Sequence, residues 1–289
     1  MKLISYQNDA CMAAVGMILD EGVVDIAHCA LTAGFPGDFS SMNAILANNS
    51  FSILDKMRGW LKENRWPNYK KPENLKLLAP VPKPEKILGA AQNYYDACER
   101  VKIPPPEVLL SFGKFPTAVN SPGGKVDICG HTVTWEGELG VVIGRNCRKV
   151  LAKDAFSYIA GYTVVNDISA NDCAKIDVQL LRCKSHDGFL PMGPVLVTAD
   201  EIQNPGNLHI TTTLNGEIVQ DSNTKQMIVD VPHLIEYFSS FLTLVPGDII
   251  ATGTPAGTAA HFDPPKYLKP GDVVEVTVEN IGTLQSIIA

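Results

Sequence analysis

In TWEGELGVVIG, residues 134–144, two glutamates stand two positions apart in an otherwise apolar run. Side chains on a strand alternate, so Glu136 and Glu138 share one face while Trp135 and Gly137 take the other. Paired carboxylates repel each other, and burying them is costly unless positive charge sits between them. Either the pair lies on a solvated outer face or it serves a cation. A second apolar run, IAGYTVVND, delivers Asp167 to what reads as a strand end. Three carboxylates without histidine or cysteine partners are hard oxygen donors. They suit Mg²⁺, Mn²⁺ or Ca²⁺ and leave positions for water and substrate.

Two further stretches have chemical potential. Lys184 in LRCKSHDGFLPMGP either covers apolar surface with its stem or places an ammonium where negative charge develops. ATGTPAGT, residues 251–258, reads either as a plain strand-exit turn or as a loop whose backbone N–H groups and threonine hydroxyls hold a carboxylate or enolate; Gly253 and Thr254 are its centre. QNYYDACERVKIPPPE, residues 92–107, reads as a lid with one short helical turn stopped by three prolines.

The elements that must carry these residues are mostly strands. KILGAA, KVDICG, WEGELGVVIG, IAGYTVVNDI, LHITTTLNGEIV, DIIATGT and DVVEVTVENIG fit strands, while AKDAFSYIA and VDVPHLIEYFSSFL fit helices. The pattern predicts an α+β, β-rich core of barrel or sandwich type. Residues 1–70 read as a small N-terminal β/α unit. It has a hairpin turning at Asp20–Gly22 and a helix with Leu54, Met57, Trp60 and Leu61 on one face. The Pro- and Lys-rich stretch 67–86 reads as a linker to residues 71–289.

Composition narrows the function. The chain has 24 basic and 31 acidic residues, a net charge of −7, and no basic run, so nucleic acid is not an expected partner. No apolar stretch approaches the roughly 20 residues of a membrane span, and MKLISYQND lacks the apolar core of a signal peptide. Seven cysteines without a C-x-x-C pair argue against a zinc site and a disulfide framework. A cytoplasmic enzyme with reduced thiols is expected.

In order, NYYDACE…PPPE, SFGKFPTAV, WEGELGVVIGR, IAGYTVVNDISANDC, KSHDGFLPMGPVLVT, LNGEIVQDSNTKQMIVDV, LVPGDIIATGTPAGT and YLKPGDVVEVTVENIGTL resemble the fumarylacetoacetate hydrolase family over roughly residues 72–289. The stretch from Pro264 to Asp272 resembles one branch of it. The resemblance implies a mixed β-roll preceded by a small N-terminal domain, and a homodimer. It also implies a Mg²⁺- or Mn²⁺-dependent enzyme that acts on a small 1,3-dicarbonyl or 2-oxo acid through a metal-chelated enolate. By position it implies Glu136, Glu138 and Asp167 as metal ligands, Lys184 as the catalytic lysine, and Thr254 with Gly253 as carboxylate contacts.

The lid departs from the family's hydrolytic pattern N-Y-x-x-H-x-x-E, whose histidine and glutamate share a helical face and activate water. After Asn93 and Tyr94, Ala97 stands in the histidine position and Arg100 in the glutamate position. Where many members read D-x-x-A-R-D, this chain has Asn171. Arg100, Asn171 and Tyr94 are expected substrate contacts, Arg100 replacing the cation that position 171 lacks. Glu99 and His186 are the candidate proton carriers. C–C hydrolysis of an acylpyruvate-type acid is the leading expectation. Decarboxylation or enol–keto tautomerisation of an acid such as oxaloacetate is the alternative, and a non-catalytic metal-dependent binding protein the second alternative.

Overall fold

The structure is a computed structural model that describes residues 1–128, 130, 132–177 and 179–289. It is a mixed, strand-rich α/β fold built on two large sheets, and neither closes into a barrel. The larger has eleven strands. Its path runs from Gly22–Asp25 through Ala13–Leu19, Lys2–Gln7, Leu190–Thr198, Ile159–Asn166, Gly137–Ile143, Ile249–Ala251 and Ile87–Ala91 to Leu110–Lys114. The smaller runs Glu217–Asn223, His209–Leu214, Val273–Val278, Gly282–Ile288 and Lys125–Val126.

Gly137–Ile143 and Ile159–Asn166 are buried at every position, the reason they read as apolar runs without clean alternation. They pair antiparallel, with Gly137 opposite Asn166 and Glu138 opposite Val165. That register sets the site, because it brings Glu136, one residue before its strand, beside Asp167, one residue after the other. The Asp167 N–H donates to the Glu136 carbonyl at 2.8 Å, and the Glu136 N–H donates to Asn166 Oδ1 at 3.0 Å. The smaller sheet packs close by, with Gln220 Oε1 accepting from the Gly137 N–H at 3.1 Å.

The N-terminal strands form the expected hairpin. They also extend the large sheet, since Lys2 and Leu3 pair with Val197 and Leu196. The stretch read as a linker contributes the strand Lys76–Leu78, which pairs with Lys2–Gln7. A helix at Ile26–Ala33, capped by Asp25 and closed by a left-handed Gly34, was not expected. The helix Phe51–Glu63 buries Leu54, Met57 and Leu61, with Trp60 half-buried. AKDAFSYIA forms a 3-10 helix, Ala152–Tyr158, and VDVPHLIEYFSSFL an α-helix, Val231–Phe241, capped by Asp230. Among the described residues no helix is long and apolar enough to cross a membrane. The six described cysteines are free, and Cys129 lies outside the described residues.

Candidate metal and substrate site

The strand register brings Glu136, Glu138 and Asp167 together, with one ligand atom from each within 4.8 Å of the others. Glu138 and Asp167 are fully buried and Glu136 is partly open. Lys184, the last residue of the short helix Leu181–Lys184, donates to Glu136 at 2.8 Å and to Asp167 at 2.7 Å. Its Nζ also lies 4.9 Å from the centroid of the Phe112 ring.

Lys114 has no role in the expectations above. It ends the strand Leu110–Lys114, is buried, and donates to Asp167 and, at 2.9 Å, to the Phe189 carbonyl. In the sequence it is one lysine inside the SFGKFPTAV block, with nothing beside it to single it out.

Three carboxylates face two ammonium groups, and the charges respond to that surplus. Burial, reinforced by Asp167 and Glu136, pushes the Glu138 carboxyl well above the usual range. Burial also raises Glu136, against the pull of Lys184. At Asp167 burial is outweighed by Lys114 and Lys184, which together hold the carboxyl low. At Lys184 burial is outweighed by Asp167, Glu136 and Glu138, so this ammonium keeps its proton. A buried all-oxygen donor set with unneutralised negative charge fits a divalent cation held by Glu136, Glu138 and Asp167. Ser169 Oγ orients Glu136 from 2.9 Å, and the Gly253 N–H orients Glu138 from 2.7 Å.

Glu136 and Lys184 open onto a cavity of about 310 Å³, which the lid helix Tyr95–Arg100 and the 251–261 loop help to line. Ala97, Cys98, Asn171, Thr254, Thr258 and His261 also face it. The lid is stapled at its base by buried Asn93. Its amide donates to the Val229 and Thr252 carbonyls at 2.9 and 2.8 Å, and its Oδ1 accepts from the Val229 N–H at 2.8 Å. Asp96 adds a tie, accepting from Ser222 Oγ and from the Ala256 N–H.

Of the expected substrate contacts, Thr254 and Asn171 line the cavity. The Thr254 hydroxyl donates to the Gly137 carbonyl at 3.0 Å and accepts from Gln220 at 2.8 Å, so Gln220, absent from the sequence expectations, fixes it. Gly253 is different: its N–H is committed to Glu138 rather than open to a ligand. Its φ is +99°, and an added Cβ would come 2.9 Å from the Ala90 carbonyl oxygen, so only glycine suits it. Tyr94 is wholly buried under the lid, away from the cavity lining. Arg100 does not line the cavity either, because its guanidinium donates to the His261 carbonyl at 3.0 and 3.2 Å.

The two candidate proton carriers also lie outside the lining. Glu99 is exposed on the lid. His186 stacks near Phe189, with its Nε2 3.9 Å from the Cys173 sulfur. His261, in the AAHFDPP stretch, was overlooked because nothing around it marks it as more than a loop histidine.

Residues 86–289 match the family described as fumarylacetoacetate (FAA) hydrolase C-terminal. The chain is 35% identical to the mitochondrial oxaloacetate tautomerase of Xenopus laevis over 99% of its length and 89% of that protein's. Its fold is similar to fumarylacetoacetate hydrolase from Exiguobacterium antarcticum, with TM-score 0.83, 30% identity, and coverage of 100% of this chain and 99% of that one. It is also similar to maleylpyruvate hydrolase from Sphingobium sp. SYK-6, solved with manganese(II) and pyruvate. There the TM-score is 0.78 at 25% identity, covering 100% of this chain and 99% of that one.

Proposed function

We propose, since the chain belongs to the fumarylacetoacetate hydrolase family, that within it the protein is a divalent-metal-dependent enol–keto tautomerase of a small 2-oxo dicarboxylic acid such as oxaloacetate. The observation that carries this reading is the lid. Ala97 faces the cavity where a water-activating histidine would stand, and Arg100 is tied to the His261 carbonyl where its glutamate partner would stand. Hydrolysis consumes water and needs a group to deprotonate it. Tautomerisation consumes none: a proton leaves the enol oxygen, a proton arrives at the neighbouring carbon, and the composition is unchanged. The likeness to an oxaloacetate tautomerase supports the same choice.

The residues divide the work. Glu136, Glu138 and Asp167 would hold a cation that supplies Lewis-acid polarisation of a 2-oxo group, and Mg²⁺ or Mn²⁺ suits their oxygen donors. Lys184 keeps its proton, so it stabilises negative charge developing on the enolate oxygen rather than acting as a base. Lys114 is the counter-charge that keeps Asp167 ionised. The lid adds the apolar residues Val101 and Ile103 to the cavity wall.

C–C hydrolysis of an acylpyruvate is the second reading, favoured by the likeness to maleylpyruvate hydrolase. Product analysis by NMR separates the two. Metal-loaded protein is given oxaloacetate, acetylpyruvate or fumarylpyruvate, with Glu138→Ala as the blank. Accelerated enol–keto exchange on oxaloacetate with the acylpyruvates left whole is the expected result. Split acylpyruvates that persist in wild type and vanish in Glu138→Ala would overturn it in favour of hydrolysis.

A further inference from the structure

Arg100 and His261 meet in a way that no metal or lid requirement explains. His261 closes the short 3-10 turn Ala259–His261 and lines the cavity with Glu136, Lys184 and Ala97. Its Nδ1 accepts from the Gly257 N–H at 2.8 Å. Gly257 cannot turn that N–H elsewhere. Its φ is +104°, an added Cβ would sit 1.9 Å from the Val219 carbonyl oxygen, and its own carbonyl accepts from the buried Trp135 indole at 3.1 Å. The chain is fixed on the other side too, since the Ala259 N–H donates to buried Thr134 Oγ1 at 2.9 Å and Arg100 grips the His261 carbonyl.

An imidazole whose Nδ1 accepts a backbone N–H carries its proton on Nε2 when neutral, and protonating Nδ1 would break that bond. Burial and the Arg100 guanidinium both press His261 toward the neutral form, with only Asp96 pulling the other way. Among the described residues Nε2 has no hydrogen-bond partner. Among the described residues Lys184 is the one permanent cation lining the cavity, and it is already shared by two carboxylates. A dicarboxylic acid entering there has a second carboxylate that needs donors, and Arg100 is not available to supply them.

We infer that His261 is a substrate-binding residue: a neutral imidazole, locked as the Nε2–H tautomer, that donates to the distal carboxylate of a 2-oxo dicarboxylic acid and selects it over a monocarboxylic 2-oxo acid. Ala97 leaves space on the lid side, and Asn171 offers a second neutral donor. Arg100 serves as a positioning residue that holds the His261 backbone. This inference rests on the cavity being the substrate site of the proposed tautomerase.

The test uses the full chain and two probes, oxaloacetate and pyruvate. In the ¹⁵N-labelled, metal-free protein near neutral pH, long-range ¹H–¹⁵N spectra should show His261, assigned by its disappearance in His261→Gln, as the Nε2–H tautomer. A doubly protonated ring or the Nδ1–H form would overturn the inference. With Mg²⁺ present, calorimetry should find oxaloacetate bound about tenfold more weakly by His261→Phe, the loss expected for one hydrogen bond to a charged group. Pyruvate binding should be unchanged, and His261→Gln, which keeps a neutral donor, should retain most of the affinity for oxaloacetate. Equal weakening of both ligands, or of neither, would overturn the inference. The functional reading fails separately, if oxaloacetate binds with this contrast but its enol and keto forms do not exchange faster.

Discussion

Residue types at the site explain both what was legible and what was hidden. Glu136, Glu138 and Asp167 announce themselves because charge inside apolar runs is costly and needs a reason. Lys114 and His261 do not, since a lone lysine at a strand end and a lone histidine in a loop are ordinary until their partners are known. Those partners, Asp167 and Gly257, are fixed by tertiary structure in the first case and by one loop's backbone in the second. The charge surplus makes a prediction at this scale. The Glu138 carboxyl is held above its value in the unfolded chain, so the metal-free protein keeps that group's contribution below the ordinary glutamate range. It loses it as pH rises through the folded-state value. Glu138→Gln should therefore stabilise the metal-free protein near neutral pH by about 1–2 kcal/mol, raising Tm by about 2–4 °C. That gain should fade in acid, and the variant should no longer respond to added Mg²⁺ or Mn²⁺ in thermal melts. A gain in Tm that is the same at acid and neutral pH would contradict the charge surplus.

Among the elements, the central strands were readable from their apolar runs, whereas LHITTTLNGEIV, read as one strand, is divided at its Asn-Gly turn into the hairpin His209–Leu214 and Glu217–Asn223. The pairing of Lys2–Gln7 with Leu190–Thr198 was not, because register between strands nearly 200 residues apart has no local signature. The same limit left barrel and sandwich undivided in the sequence, and the sheets do not close into a barrel. The lid is the element on which function turns, and Asn93 is its anchor. Asn93→Ala would strand the Val229 N–H and the Val229 and Thr252 carbonyls, costing about 1–3 kcal/mol. Hydrogen exchange should then quicken across Tyr95–Arg100 and KM for oxaloacetate should rise, while the exchange of the central strands stays unchanged. Equal quickening in both would mean that Asn93 supports the whole fold and not the lid.

At the scale of the whole molecule, the proposed anionic substrate would meet a chain of net charge −7, so attraction has to be local. The buried lysines and the proposed cation would supply it, with long-range repulsion screened by salt. Raising ionic strength should accordingly leave KM nearly unchanged or lower it, and a steep rise would point to steering by surface charge instead. The homodimer implied by the family resemblance is a proposal at the same scale. Light scattering after size exclusion should give twice the 31.2 kDa of one chain, and a mass of one chain across micromolar concentrations would refute it.

The most direct measurement is the rate of oxaloacetate enol loss, followed by ultraviolet absorbance as Mn²⁺ is added to metal-free protein. The expected result is a rate that rises and saturates as a single site fills in wild type. Glu138→Ala should stay flat at the level of the ion alone, and Lys184→Met should bind the ion but turn over about 10²–10³-fold more slowly. A rate that ignores Mn²⁺, or one that Glu138→Ala reproduces in full, would contradict the assignment of the reaction to this carboxylate–lysine cluster.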